Sequence, residues 1–442
     1  MENSIAKNFT LPSLIGFTLP TIMMLVFIAT YTIVDGIFIS RFVGTAALSA
    51  INIVFPLINV LTGIGIMLDT GGSAIIGRRL GEGKAEEARR DFTLIALFAI
   101  GTGVLLSLLC TIFISPLSRF LGADAHLLPY CVDYGRILMG FCSISVVQVL
   151  FQTLFITAGK PHFGLWLNVL SGVANIVFDY IFIVLCDMGI AGAAWGTVTG
   201  FLVGGIPPLV YFAKPRASLY FVKTQWNRGT ILHTLLNGSS EMVTSTAMAV
   251  TTFLFNLTMM RLLGEDGVAA ITIALYAQFL FSAAYLGFAN GVAPVFSYNY
   301  GNRNTAQLKR LFRMCIGIIL VSSLVGFSFS YIVATPTIAI FTPKDSSTYT
   351  ITLHGYLIFV WNFLFAGINI FASSFFTALS NGKVSALISF LRTFVFVAGS
   401  ILLLPEFLEI NGIWLAIPVA EALTVAVAVF CLLRYRKVYH YF

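Results

Sequence analysis

A stripe of polar and small residues lies along one predicted membrane helix. Asn168, Gly172, Asn175 and Asp179 are spaced at i, i+4, i+7 and i+11, which places them on one helix face. Leaving the Asp179 carboxylate unpaired in lipid would cost roughly 2.5–3.5 kcal/mol, so we expect this face to point into a helix bundle or a wet cavity. The alternative is a hydrogen-bond network that only packs helices together.

Two residues on other spans are predicted at a depth similar to that of Asp179. With a rise of 1.5 Å per residue, Asp179 lies about 24 Å from the predicted cytoplasmic end of its span. Asp35 is near the outer end of the first span, and Thr197 is one turn into the sixth span from outside. We therefore expect Asp35, Asn175, Asp179 and Thr197 to share one level of the N-terminal bundle.

These four residues suit a small cation. Two carboxylates, an amide and a hydroxyl form an all-oxygen set that fits a hard ion such as Na⁺. Two desolvated carboxylates placed close together would also tend to share a proton. In either case the site changes charge when it is loaded, as an ion-coupled pump requires.

The second half of the chain carries its own buried charges. Glu241 lies about 18 Å into the seventh span and Glu421 about 15 Å into the twelfth, so both are predicted near mid-membrane. Arg392 is expected to pair with one of these acids. The other acid could serve as a counter-charge for a cationic substrate or as a second coupling site. Asp69 is expected at the hydrated end of the second span, solvated or paired with a nearby arginine.

The composition requires a membrane protein. Of 442 residues, 58% are hydrophobic and 10% are charged, whereas soluble domains carry about 25% charged residues. The apolar residues form long runs, so we predict an all-α integral membrane fold and exclude a β-barrel, which would show short alternating segments. The twelve predicted spans are approximately residues 12–38, 46–76, 91–116, 131–157, 163–186, 192–213, 231–260, 267–298, 311–340, 351–379, 385–404 and 411–433.

The distribution of basic residues predicts the orientation. With the N-terminus inside, nineteen of the 25 lysines and arginines fall on the cytoplasmic face and four on the outer face. Both termini are therefore predicted to be cytoplasmic, with the spans in a plasma membrane. The net charge of +7 is explained by this bias, and no nucleic-acid partner is expected.

The two halves of the chain resemble each other. Sliding the sequence by 220 residues without a gap superimposes Gly71 on Gly291, Gly81 on Gly301 and Arg90 on Arg310. We predict two six-helix bundles of the same orientation, residues 1–213 and 231–442, joined by a cytoplasmic linker at 214–230. This duplication is typical of transporters that work by alternating access.

The sequence lacks several motifs that are typical of soluble enzymes. There is no GxxxxGK[ST] loop, GxSxG or HExxH motif, and the six cysteines form no CxxC pair. We therefore expect neither an enzyme nor a bound cofactor or structural metal.

Several segments together resemble the multidrug and toxic compound extrusion (MATE) transporters, in the branch with bacterial MepA-like and DinF-like members. The residues that carry the resemblance are Tyr31-Thr-Ile-Val-Asp35-Gly-Ile-Phe-Ile-Ser-Arg41 with Gly44, Gly71-Gly72 to Leu80-Gly81, Ala158-Gly159-Lys160-Pro161, Asn175-Ile-Val-Phe-Asp179-Tyr-Ile-Phe and Gly192-Ala-Ala-Trp-Gly-Thr197.

The resemblance implies a V-shaped pair of six-helix lobes that exports cationic organic compounds in exchange for H⁺ or Na⁺. The family's N-lobe cation site maps onto the four residues already grouped by depth. Some members use a glutamate in span seven with a tyrosine and an acid in span ten. Glu241 lies at the position of that glutamate, but residues 351–379 hold no Asp or Glu, so this second site is incomplete.

The remaining expectations concern the substrate. We predict a substrate cavity that includes Tyr31, Asn168, Glu241 and Glu421, a small organic cation as the substrate, and a monomer in the lipid bilayer. The alternative is a flippase or exporter of an amphipathic lipid-linked or anionic metabolite. It would need a cavity rich in Arg and Lys, and only Arg136 and Arg392 lie within the predicted spans away from the cytoplasmic face.

Overall fold

The computed structural model describes residues 4–43, 45–215 and 218–442, and all regular secondary structure in these ranges is helical. Within them, ten helices are long and apolar enough to cross a membrane, and a bent helix pair forms an eleventh span. The longest helix, Gly382–Tyr439, is broken at Glu409, where φ is 49°, and so supplies two of the twelve predicted spans.

We number the spans in chain order. They are α1 (Leu11–Phe42), α2 (Thr45–Gly81), α3 (Ala85–Ile112), α4 (Leu128–Gly140 and Cys142–Thr157), α5 (Pro161–Leu185), α6 (Gly189–Phe212), α7 (Arg228–Gly264), α8 (Asp266–Gly301), α9 (Thr305–Ile332), α10 (Ser347–Ala378), α11 (382–408) and α12 (410–439). Two short helices, Ile114–Phe120 and Ala334–Phe341, follow α3 and α9.

Irregular backbone occurs at defined points in the spans. The two parts of α4 meet at an angle of 56°. The chain turns between α7 and α8 at Gly264, where φ is 66°, a conformation that glycine adopts without steric cost. The fifth helix of each half contains a π-helical stretch, Tyr180–Leu185 in α5 and Leu391–Val397 in α11. Such stretches are frequent at functional sites.

The buried apolar residues form separate clusters in the two halves. One cluster draws its buried members from residues 39–219, and another from residues 255–420. A third joins residues 288–441 to Ile5, Phe9 and Leu14. The start of the chain thus packs against the second half, although it was predicted as part of the first bundle. The boundaries at 213 and 231 stay a prediction.

The connection between the halves lies along α3. The backbone N–H of Val222 donates to Thr93 Oγ1 (3.0 Å), and Thr224 Oγ1 donates to the carbonyl of Arg90 (3.0 Å). The ring of Phe221 stacks on Phe92 at 5.3 Å between centroids. These contacts attach the linker to the first half.

The two halves meet where α2 crosses α8, and glycines bring the backbones together. A Cβ atom on Gly81 would overlap the carbonyl of Tyr298, and a Cβ on Gly301 would overlap the carbonyl of Arg78. Between them, a Cβ on Gly77 would lie 3.0 Å from Ser297 Cβ. The 220-residue slide places Gly81 on Gly301, Arg78 on Tyr298 and Gly77 on Ser297. The crossing therefore has the symmetry of the internal repeat.

Further close approaches lie on the same side of the molecule. A Cβ on Gly71 of α2 would overlap the backbone of Thr234 in α7, and one on Gly287 of α8 would lie 2.6 Å from Ile22 Cα in α1. All of these positions belong to the helix halves nearest the predicted cytoplasmic end. The two halves are therefore closed against each other at that end.

The crossing predicts a test of this closure. Gly301→Ala places a methyl group against the Arg78 backbone, and overpacking of this kind costs about 1–3 kcal/mol. We expect a lower Tm in detergent for this variant. Gly317→Ala in α9 is the control, since a Cβ there meets nothing within 4 Å and alanine favours a helix by roughly 1 kcal/mol. Equal Tm values for the two variants would contradict the close crossing.

Candidate cation-coupling site

The predicted polar stripe of α5 faces the interior of the first half. A Cβ on Gly172 would lie 2.6 Å from the ring of Phe27 in α1, so the two helices approach closely there. One turn further on, Asn175 packs against Gly200 of α6, whose Cβ would lie 3.2 Å from Asn175 Cβ. Asn175 and Asp179 are buried, at 5% and 2% exposure. This orientation agrees with the spacing of the sequence.

Two carboxyl groups meet at the end of this stripe. Asp35 of α1 and Asp179 of α5 lie within hydrogen-bonding reach of each other. The Oδ1 atoms of Asp35, Asn175 and Asp179 are buried and accept no hydrogen bond from the described residues. Two ionised carboxylates can only accept, so two carboxyl groups this close are chemically suited to share a proton or a cation.

No positive side chain balances this pair among the described residues. Neither Asp35 nor Asp179 has a described ion-pair partner; the side chain of Arg41, also on α1, is outside the described residues. Three orphaned oxygens without a described counter-charge are chemically suited to a small cation.

The backbone holds Asp179 in a tight setting. Asp179 is the last residue before the π-helical stretch of α5. On the other side, a Cβ on Gly196 of α6 would overlap the Asp179 carboxyl group. Glycine at this position therefore lets α6 pass directly over the carboxylate. Sequence reasoning missed Gly196, although it precedes Thr197 in the segment that carries the family resemblance.

Thr197 reaches the acid pair through a residue that the sequence did not single out. Its hydroxyl donates to the Ala193 carbonyl in its own helix (3.1 Å) and lies within hydrogen-bonding reach of the Tyr134 hydroxyl. Tyr134 of α4 is buried and close enough to interact electrostatically with both Asp35 and Asp179. Tyr31, one turn before Asp35, also interacts with Asp35.

The structure thus gathers the four predicted residues and both tyrosines around one point of the first half. No observation here tests whether they bind an ion, so their coupling role stays a proposal.

The second half has a different arrangement at its buried acid. Arg392 donates from Nε (2.8 Å) and Nη2 (2.6 Å) to Oε1 of Glu421. Asn369 of α10 donates to the other oxygen, Oε2, at 2.7 Å. Glu421 is almost fully buried, and both of its carboxylate oxygens are occupied. Of the two acids left open by the sequence, Glu421 is therefore the partner of Arg392.

Comparison with known proteins now identifies the family. The MatE family model matches residues 20–181 and 242–401. The chain belongs to the MatE family.

Curated relatives and solved structures agree with the MatE assignment. The chain is 22% identical over 414 residues to the multidrug export protein MepA of Staphylococcus saprophyticus, covering 92% of this chain and 87% of that protein. It is 24% identical to MepA of Staphylococcus haemolyticus, covering 73% and 72%. An outward-facing multidrug resistance MATE family transporter superimposes with a TM-score of 0.91 at 22% identity, covering 97% of both chains. The predicted two-bundle, all-helical MATE fold is confirmed.

Asn168, at the start of the stripe, has a packing role in the MatE fold. Its Nδ2 donates to the Gly164 carbonyl (2.9 Å) and approaches Met24 Sδ (3.2 Å), while its Oδ1 accepts from Gln152 Nε2 (3.3 Å). These contacts tie α5 to α1 and α4. Asn168 and Glu421 are both buried and hydrogen-bonded to neighbouring helices. Their contacts do not support the predicted role in a substrate cavity.

Glu241, by contrast, lines a cavity between the two halves. The cavity measures 10 Å³, room for about one water molecule, and its polar wall includes Thr70, Thr153, Asn290 and Ser374. Glu241 interacts electrostatically with Arg392 across the second half. It is the one predicted cavity residue of the second half that reaches an open space in the described structure.

Asp69 differs from its sequence prediction. It is buried at 3% exposure instead of solvated, and it has no arginine partner among the described ion pairs. Its carboxyl accepts from the Thr153 hydroxyl (2.6 Å) and from the Thr153 backbone N–H (3.2 Å). It also lies near enough to Glu241 to interact with it electrostatically. The prediction of a solvated residue was wrong, because α4 covers this face of α2.

The Asp69 contact gives a direct test. Thr153→Val removes the hydroxyl donor to a buried carboxyl, a bond worth about 1.5–3 kcal/mol where the carboxyl is charged, and we expect a clearly lower Tm in detergent. Thr252→Val is the matched control, since Thr252 is exposed and donates to the Met248 carbonyl of its own helix. A Tm for Thr153→Val no lower than that of the control would show that this bond adds nothing.

Proposed function

We propose that this MatE protein is an antiporter that exports organic, mostly cationic compounds across the plasma membrane in exchange for H⁺ or Na⁺. The observation that carries the proposal is the pair of carboxyl groups of Asp35 and Asp179, which have buried Oδ1 atoms and lie in reach of each other without a described counter-charge. The multidrug export name of the MepA relatives supports the substrate class.

The pair provides the physical basis for coupling. Two like charges a few ångströms apart in a low-dielectric bundle repel strongly, and one proton or Na⁺ between them removes the repulsion. Loading therefore draws α1 towards α5, and unloading separates them. Because α1 passes Phe27 and Tyr31 directly against Gly172, this movement repacks the wall of the first half.

The closed end of the molecule supports alternating access. The halves touch through Gly77, Gly81 and Gly301 at the end that the basic residues predict to be cytoplasmic. Closure at this end is what the outward-facing step of alternating access requires. Bending of α1 on ion loading would expel the substrate outward, and a monomer is sufficient for this cycle.

Glu241 supplies a negative group for a cationic substrate. It lies at the cavity between the halves, whereas Glu421 is neutralised by Arg392. An organic cation next to Glu241 gains a Coulomb attraction that a neutral compound lacks. When the cytoplasmic end opens, this carboxyl would face the entering substrate.

The coupling role is tested by Asp179→Asn. This change removes the titratable and ion-binding charge but keeps the size of the side chain. We expect cells with the variant to be as sensitive to cationic drugs as cells with an empty vector, at equal amounts of protein in the membrane. Asp35→Asn should behave the same way.

Asp133→Asn is the matched control, because Asp133 is an exposed carboxylate one residue from Tyr134. It should keep full resistance. Normal efflux by Asp179→Asn would exclude the acid pair as the coupling site.

The substrate role of Glu241 is tested by Glu241→Gln. We expect weaker efflux of a permanently charged dye such as ethidium and unchanged efflux of a neutral substrate, measured in the same cells. Glu406→Gln is the control, since Glu406 is 63% exposed and pairs with Arg261 at 3.6 Å. An equal loss for charged and neutral compounds would show that Glu241 does not select for charge.

A further inference from the structure

The internal repeat relates the cation site of the first half to a different set of residues in the second. The 220-residue slide superimposes the α5 stripe of Asn168, Gly172, Asn175 and Asp179 on Ile388, Arg392, Val395 and Gly399 of α11. The slide holds around this region, because Gly192 at the start of α6 falls on Gly412 at the start of α12. On the α11 stripe, Ile388, Val395 and Gly399 are apolar or small, and the remaining residue is Arg392.

The second half nevertheless keeps an acid and an amide in its interior. Glu421 of α12 and Asn369 of α10 are buried at 1% and 0% exposure. The Asn369 Oδ1 atom is buried without a hydrogen-bond donor among the described residues, as Asn175 Oδ1 is in the first half. A carboxylate and an orphaned amide oxygen are the same donor types that surround Asp179.

The arginine fills the place of an ion. Its Nε and Nη2 atoms lie 2.8 and 2.6 Å from Glu421 Oε1, and the π-helical stretch Leu391–Val397 holds Arg392 in this position. A guanidinium group keeps its charge under all physiological conditions. Glu421 thus has a permanent cation that cannot leave.

We propose that Arg392 is a tethered cation that occupies a latent ion site at Glu421 and Asn369, and so restricts ion loading to the first half. This inference rests on the proposed function, in which Asp35 and Asp179 load the ion. By this inference, Arg392 sets how many ions the transporter takes up, although Arg392 touches neither the transported ion nor the substrate. With one half fixed in charge, each cycle changes the charge of the other half alone.

Other charged groups face this site at longer range. Glu241 of α7 interacts electrostatically with Arg392, and Asp69 of α2 interacts with Glu241. Removing the positive charge of Arg392 would leave Glu241 and Glu421 without their shared counter-charge. A proton or Na⁺ would then be drawn to Glu421, the more buried of the two.

The experiment counts ions on purified full-length protein in nanodiscs, by equilibrium binding of radioactive Na⁺ and by proton uptake with a pH indicator. As a single change, with Arg392 in place, Asp179→Asn should abolish the uptake seen in wild-type protein. Arg392→Gln should roughly double the wild-type uptake, since a second acid then requires compensation. The double variant Arg392→Gln with Asp179→Asn should retain about the wild-type amount, now held at Glu421.

Two controls separate the possible failures. Arg392→Gln with Glu421→Gln should return to the wild-type count, because the latent site has lost its carboxylate. Glu421→Gln alone, in which Arg392 keeps a hydrogen-bond acceptor, should leave the wild-type count unchanged, and it tests the proposal even where Arg392→Gln does not fold.

The outcomes are distinct. Ion uptake by wild type that does not depend on Asp179, or no uptake at all, would overturn the proposed function. Uptake that depends on Asp179 but is unchanged in Arg392→Gln, or is reduced in Glu421→Gln, would overturn the tethered-cation inference alone.

Discussion

Two carboxyl groups, Asp35 and Asp179, face each other inside an apolar helix bundle without a counter-charge among the described residues. Such a pair is unfavourable when both groups are ionised, and only a proton or a small cation relieves it. Much of the surrounding structure serves this contact. Gly172 lets α1 approach α5, Gly196 lets α6 pass over Asp179, and Tyr134 joins Thr197 to the pair. The bundle thereby holds a charge that it cannot neutralise alone.

The two halves share one topology but treat buried charge in opposite ways. The first half leaves three acceptor oxygens unpartnered around Asp179, whereas the second supplies Arg392 and Asn369 to satisfy both oxygens of Glu421. An internally paired half changes little when the membrane ion gradient changes. The halves meet in a glycine crossing at Gly77, Gly81 and Gly301, where the two backbones are in close contact.

Helix number, the repeat and the inward-facing stripe of α5 could be predicted from the sequence because hydropathy and residue spacing are local properties. Contacts between helices could not. Tyr134 was missed because no spacing within α4 says which neighbour its hydroxyl meets, and Asp69 was misplaced because α4 covers it. The backbone breaks between α11 and α12 at Glu409, where φ is positive although glutamate is not a turn signal. The sequence separated the two spans by the polar junction between them and not by this residue.

Transport in proteoliposomes under imposed gradients tests the central claim most directly. Wild-type protein should move an organic cation when either a pH or a Na⁺ gradient is applied across the membrane, and the effective gradient names the ion. Protein with Asp179→Asn should move none under the same gradient. Gradient-driven transport that is equal in wild type and in Asp179→Asn would contradict coupling through the Asp35 and Asp179 pair.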